Sequence, residues 1–170
     1  MNQFTGFLKS RKIWLLLIVV LGLTLRLDNL GSRSLWTDEF FTLFLSSGHG
    51  REIQSFSNAL SQKTSPQIIK MPRVKRFLHF DRQKTVGDVV RGVLFSDTHP
   101  PLYYCIMHYW MRAFGDSAFA LRMFSILLGV IAIILAYSLG KSLFDEKAGI
   151  TSALFLSISP YAVRYAQEAR

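Results

Sequence analysis

The sequence predicts an all-α membrane protein, and three observations carry that prediction. Half of the 170 residues are apolar, which is rich for a soluble domain. They gather into long runs at 13–25, 101–114, 118–140 and 148–163. Between the first run and the second lies a polar stretch far too long for a turn, so the chain reads as helices in lipid with one large loop outside it. The runs also decide what the charge means. Twenty Lys and Arg against eleven Asp and Glu give a formal net charge of +9, which by itself fits nucleic acid or anionic lipid. Beside such runs it points to lipid, and no recognised nucleic-acid fold surrounds the basic residues. Cys105 is the one cysteine, which excludes an intrachain disulfide and a cysteine-rich metal site.

Lys9, Arg11 and Lys12 precede the first run, and Arg26, Leu27 and Asp28 follow it. A secretory signal peptide begins the same way, but it ends in an A-x-A-like cleavage site, which "RLDNLGSRSLW" does not offer. The strictly apolar run falls short of the roughly 20 residues of a span. Arg26 is therefore expected in the outer turn, its guanidinium snorkelling to the interface. The reading is an uncleaved first transmembrane helix over about 10–28, with the N-terminus cytoplasmic, because Lys and Arg near span ends stay inside.

The later runs are sorted by parity and charge. Lys141 and Lys147 flank the link 141–147, and the positive-inside tendency places that link in the cytoplasm. One crossing must then lie between residues 28 and 141. The run 118–140 is the longer candidate and is assigned as the second transmembrane helix. The run 101–114 carries His108 and Arg112 and becomes an interfacial helix, its tyrosines and tryptophan suited to the headgroup level. A third transmembrane helix over 148–164 returns the chain outside, where 165–170 end.

On this topology 29–117 form the first outer loop, with amphipathic juxtamembrane helices near 38–46, 85–95 and 101–114. Thr85 is the expected N-cap of the second, with Asp88 three residues on as an Asp variant of the capping box. Lys70, Arg73, Lys75, Arg76, Arg82 and Lys84 form a basic cluster that reads as a headgroup-facing or solvated surface for anionic lipid.

Several ionisable residues fall on the outer side: Asp38 and Glu39 after the first span, Asp97 and His99 before the interfacial helix, Arg122 in the outer turn of the second span, and Arg164, Glu168 and Arg170 after the third. A charge inside a span costs about 2.5 to 3.5 kcal/mol on the insertion scale, so charges collect at span ends for bland reasons too. Each residue therefore keeps a structural reading beside its functional one. Asp38 or Thr37 is a candidate N-cap for "EFFTLFLSS", and Glu39 suits a positive helix N-terminus. Pro100 and Pro101 make a rigid turn that starts a helix. Arg122 snorkels, and Glu168 with Arg170 is an ordinary helix-end pair.

Four ordered segments, "LRLDNLGSRSLWTDEFFT", "DTHPPLYY", "FGDSAFALRMFSILLG" and "SPYAVRYAQEAR", resemble the GT-C membrane glycosyltransferases. The nearest branch is similar to glycosyltransferase family 39, the dolichyl-phosphate-mannose-protein mannosyltransferases, with the protein O-mannosyltransferases and aminoarabinose transferases as bacterial relatives. The resemblance leaves out about 49–84. It implies transfer of a sugar from a polyprenyl-phosphate donor to an acceptor hydroxyl on the outer face of a plasma (inner) membrane, the acceptor being a lipid, glycan or protein. It makes Asp38 the general base, since an alcohol is a poor nucleophile until a carboxylate takes its proton, with Glu39 as its catalytic companion. A single base with a phosphate leaving group implies inversion. His99 is a candidate contact for the donor phosphate or for the loop backbone, and Arg122 for the donor phosphate, which its fork suits. Asp97, Glu168 and Arg170 become site support, and Glu168 stands where relatives carry an acidic residue that assists the site or a divalent metal; no cofactor is certain. Family members are several hundred residues long, so the expectation is an N-terminal piece inactive alone. The rival from another class is a non-catalytic anchor or assembly subunit with a lipid-binding basic loop.

Overall fold

The computed structural model describes residues 2–28, 30, 34–53, 77 and 79–169, with side chains from residue 12 onward. Among the described residues there are seven α-helices, one short 3-10 turn and no strand. The helices are α1 (Asn2–Leu27), α2 (Thr37–Ser46), α3 (Val86–Ser96), α4 (Leu102–Phe114), α5 (Ala118–Leu143), α6 (Glu146–Ile158) and α7 (Pro160–Ala166). The described residues divide into two compact units, one within 1–33 and 122–169, the other within 34–121. Among the described residues one helix, α5, is long and apolar enough to cross a membrane.

The first unit holds α1, most of α5, α6 and α7. Ile18, Ile133 and Ala153 form its buried seam, one residue from each of α1, α5 and α6. Asp145 caps α6 by accepting from the Ala148 N–H at 2.7 Å, and Glu146 accepts from the Tyr137 hydroxyl at 2.6 Å and pairs with Lys141 at 2.9 Å. The carboxylates of the link thus close the α5–α6 hairpin.

Two expectations change here. The segment 148–164 is not one helix: α6 ends at Ile158 and α7 restarts at Pro160. A proline drives the residue before it out of the helical region, and Ser159 has ψ 120°. Pro160 also lacks the N–H that would have bonded the Leu156 carbonyl.

Arg26 does not snorkel. It is fully buried, donating from Nη2 to the Leu156 carbonyl at 3.1 Å and from Nη1 to the Ser157 carbonyl at 3.0 Å and the Gly22 carbonyl at 2.9 Å. The break at Pro160 strands carbonyls inside the unit, and a guanidinium at a helix C-terminus satisfies both their lone pairs and the negative end of the dipole. The capping is reciprocal, because Gln167 Nε2 reaches back to the Leu25 and Asp28 carbonyls at the end of α1, at 3.2 and 3.0 Å.

The second unit packs α2, α3 and α4 around Phe44, Leu45, Phe77, Val89 and Val93, with Tyr104 and Cys105 against them. The α3 capping box forms as expected: the Thr85 N–H and hydroxyl both donate to Asp88 Oδ2 at 2.9 Å. Gly48, at φ +82°, ends α2, with the His49 N–H on the Phe44 carbonyl at 3.2 Å and the Gly48 N–H on the Leu45 carbonyl at 3.0 Å, a Schellman turn that needs the left-handed residue. His108, buried on α4, donates from Nδ1 to the Ser46 carbonyl at 2.8 Å. Phe80 N–H and His79 Nδ1 both reach Asp116 Oδ2, at 2.8 and 3.2 Å, tying 79–80 to the loop after α4.

Gly50 meets Gly92 of α3 backbone to backbone; a Cβ on Gly50 would stand 2.7 Å from the Gly92 Cα. Gly50→Ala is expected to cost about 1 to 3 kcal/mol by forcing these backbones apart, read in detergent as a lower unfolding temperature. Arg26→Met keeps the apolar stem and removes the bonds to stranded carbonyls, with an expected loss of about 3 kcal/mol; Arg26→Lys recovers only part, lacking the fork. An unchanged unfolding temperature in Arg26→Met would mean the broken helix end does not depend on the guanidinium.

Candidate functional site

The site is built from two ends of helices in the second unit. At the start of α2 the N-cap position falls on Trp36, which has no side-chain acceptor to offer. Glu39 supplies what is missing: its Oε2 accepts from the Trp36 N–H at 3.0 Å, the N3 half of a capping box. The cap is thus neither Asp38 nor Thr37. Glu39 is buried at 1 % exposure, spent on the helix start, while Asp38 beside it is half-buried and faces a cavity.

At the other end, the chain leaves α3 through Asp97 and enters α4 through Pro100 and Pro101. Asp97 organises that turn. Its Oδ1 accepts from the Thr98 N–H at 2.7 Å, the His99 N–H at 3.3 Å and His99 Nδ1 at 2.7 Å. Its Oδ2 accepts from the Tyr104 hydroxyl at 2.6 Å. Burial pushes the Asp97 carboxyl up, but the hydrogen bonds from Tyr104, His99 and the two N–H groups outweigh it and bring it from 3.8 down to about 2. The same contact, after burial, raises the Tyr104 phenol, so the hydroxyl stays a donor.

Between these ends lies a cavity of about 790 Å³, the size of a small-molecule site. Asp38, Thr42, Ser96, Asp97, His99 and Tyr104 bring polar groups to its lining, and Phe41, Leu45, Ile53, Leu102 and the Tyr103 ring bring apolar surface. The two motifs that stand some sixty positions apart in the sequence, W-x-D-E and D-x-H-P-P-L, share one cavity. A carboxylate and an imidazole on an apolar pocket can take a proton from a hydroxyl and contact an anion, while the walls receive hydrocarbon or a sugar face.

The other expected residues lie elsewhere. Arg122 belongs to the first unit, nearly buried at 3 % exposure, and donates to the Leu30 carbonyl at 2.7 Å. Glu168 pairs with Arg164 at 2.7 Å one helical turn away, so the ion pair at this end has Arg164 as a partner. Arg170 lies outside the described residues, as do Lys70, Arg73, Lys75 and Arg76 of the basic cluster. Arg82 is exposed, and Lys84 is held by Glu52 at 2.7 Å instead of standing free for a headgroup. Among the described residues no three His, Cys, Asp or Glu side chains gather as a metal site. Tyr104 is the functional-looking residue that sequence reasoning passed over. Its signal was present in "DTHPPLYY": two prolines start a helix, and the first turn of that helix brings Tyr104 back over Asp97.

Residues 98–169 match the family described as dolichyl-phosphate-mannose-protein mannosyltransferase. No curated protein and no solved structure matches the chain. The matched stretch begins just after Asp97 and takes in His99, Tyr104 and Arg122.

Because the Asp97 carboxyl is depressed in the folded state, its contribution is present above the unfolded value near 3.8 and is lost as the pH falls through about 2. Acid titration followed by circular dichroism should show stability falling across that window by about 2 kcal/mol, and Asp97→Asn should flatten the fall. An unaltered acid profile in the variant would contradict the network.

Proposed function

We propose, from a chain whose residues 98–169 carry the GT-C, glycosyltransferase family 39-like sequence of the dolichyl-phosphate-mannose-protein mannosyltransferases, that it transfers a sugar from a polyprenyl-phosphate-linked donor to an acceptor hydroxyl. That family is one of membrane glycosyltransferases that use such donors. The finer reading is this chain's own: reaction on the outer face of a plasma membrane, inversion, and Asp38 as general base. The single observation that supports it best is the shared cavity, which sets the Asp38 carboxylate opposite the Asp97–His99 turn across apolar walls.

The mechanism follows from what each group can do. The acceptor hydroxyl approaches the anomeric carbon while Asp38 takes its proton; the new C–O bond forms as the bond to the donor phosphate breaks, and the phosphate departs with the electron pair. His99, held by Asp97 through Nδ1, leaves Nε2 as the ring nitrogen available to contact the departing phosphate. Glu39 acts on α2, holding the helix start that carries Asp38. Arg122 is kept as a candidate for the donor phosphate, which its fork suits. Glu168 and Arg170 are kept as site support, and Glu168 is the residue of the two that would assist a divalent metal.

The topology that accompanies this reading has three transmembrane helices, α1, α5 and the α6–α7 pair, with a cytoplasmic N-terminus. α5 supports it most directly, at 26 residues, about 39 Å of helix. In α6 and α7 the break at Pro160 is compatible with a span only because Arg26 satisfies the freed carbonyls, as irregular backbone in lipid requires.

Asp38→Asn in the complete gene product should lower transfer from a polyprenyl-phosphate sugar by about a hundredfold or more while membrane insertion and the unfolding temperature hold. An unchanged rate would favour the anchor reading, in which the carboxylate serves only the helix.

A further inference from the structure

We propose that Asp97 and Tyr104 lock His99 with its proton on Nδ1, so that Nε2 is the imidazole nitrogen presented to a ligand, and that Tyr104 is a positioning residue for that contact. The ligand's identity rests on the proposed glycosyl transfer; the lock itself does not.

A carboxylate accepts and does not donate, so the 2.7 Å contact between His99 Nδ1 and Asp97 Oδ1 requires a proton on Nδ1. Which nitrogen of a histidine carries the proton is set by the bond the other makes. The ring is 73 % exposed and lines the cavity, so Nε2 is accessible. With two protons the ring donates from Nε2 to an oxyanion; with one it offers a lone pair there to a hydroxyl. Either way a single atom does the work.

Tyr104 makes the lock rigid. The N–H groups of Thr98 and His99 hold Oδ1 of Asp97, and without a second anchor the carboxylate plane could turn about its bond. The Tyr104 hydroxyl takes Oδ2 at 2.6 Å. Tyr104 is itself packed against the Phe44, Val89 and Val93 core and meets the Tyr103 ring edge-on at 5.7 Å. Core packing is thereby transmitted through one hydroxyl and one carboxylate to an exposed imidazole. Pro101 fixes the backbone on the far side, and the depressed Asp97 carboxyl keeps the acceptor ionised across the neutral range.

The test is long-range 1H–15N correlation on the full chain labelled at histidine, in detergent, at a pH where the imidazoles are neutral, with His99→Asn to assign the signal. The expected wild-type pattern is the Nδ1–H tautomer for His99, moving toward the commoner Nε2–H form in Asp97→Ala. His108, whose Nδ1 donates to the Ser46 carbonyl, is an internal reference: its unchanged Nδ1–H signal in the variant reports an intact fold. A wild-type Nε2–H pattern, or a His99 signal indifferent to Asp97→Ala while His108 is unchanged, overturns the proposal. In the complete gene product, Tyr104→Phe should raise KM for the polyprenyl-phosphate sugar about 2- to 10-fold with a smaller change in kcat, the scale of one lost hydrogen bond; an unchanged KM removes Tyr104 from the role. The arms separate the two readings. A locked His99 together with an Asp38→Asn enzyme of full activity would sink the transferase mechanism and leave the tautomer lock standing.

Discussion

The buried hydrogen bond from His108 Nδ1 to the Ser46 carbonyl is the constraint on which the candidate site depends. Ser46 closes α2, so its carbonyl is one of those a helix cannot satisfy itself, and His108 arrives from the middle of α4 to do so. The bond also sets register. Going back along α2 from Ser46 to Asp38 is eight residues, about 12 Å of helix, and going back along α4 from His108 to Leu102 is about 9 Å, with Asp97 and His99 just beyond. Both helices therefore lead from the bond to the same level, where the carboxylate of one motif and the imidazole of the other line one cavity. Phe44, Val89 and Val93, all at 0 % exposure, hold that register from the core side.

The first unit solves a different problem with the same principle. A proline in the last helical segment breaks it and leaves carbonyls without donors; Arg26 and Gln167 exchange caps between α1 and the α6–α7 corner. A charge inside this unit is tolerated because two of its three bonds go to the Leu156 and Ser157 carbonyls at the break before Pro160. The interruption is thus an organised feature, its freed carbonyls met by a side chain of another helix.

What could be read from residues alone follows from which interactions are local. The helices near 38–46, 85–95, 101–114 and 118–140 were legible because their signals sit within a few positions: a capping box at Thr85, prolines before α4, and sustained apolar runs. Asp38 and His99 were marked by motif resemblance, and their common cavity could not be, because it depends on a bond between residues 46 and 108. The same limit explains the failures. Arg26 looked like a snorkelling residue since nothing in its neighbourhood shows that carbonyls more than a hundred positions later need a donor. The break at Ser159–Pro160 was written in the sequence, yet the apolar run around it invited a single helix. The cap of α2 was missed for a local reason instead: Thr37 and Asp38 were the candidates, and the position falls on Trp36, whose N–H Glu39 takes.

The central claim is that the two motifs converge on one cavity, and a crosslink tests it most directly. With Cys105 replaced, cysteines at positions 38 and 99 should be bridged in native membranes by a short bifunctional thiol reagent, in high yield and within one chain. Failure to bridge, with each single cysteine still reactive toward a monofunctional reagent, would show that the acidic motif and the histidine turn do not share a site.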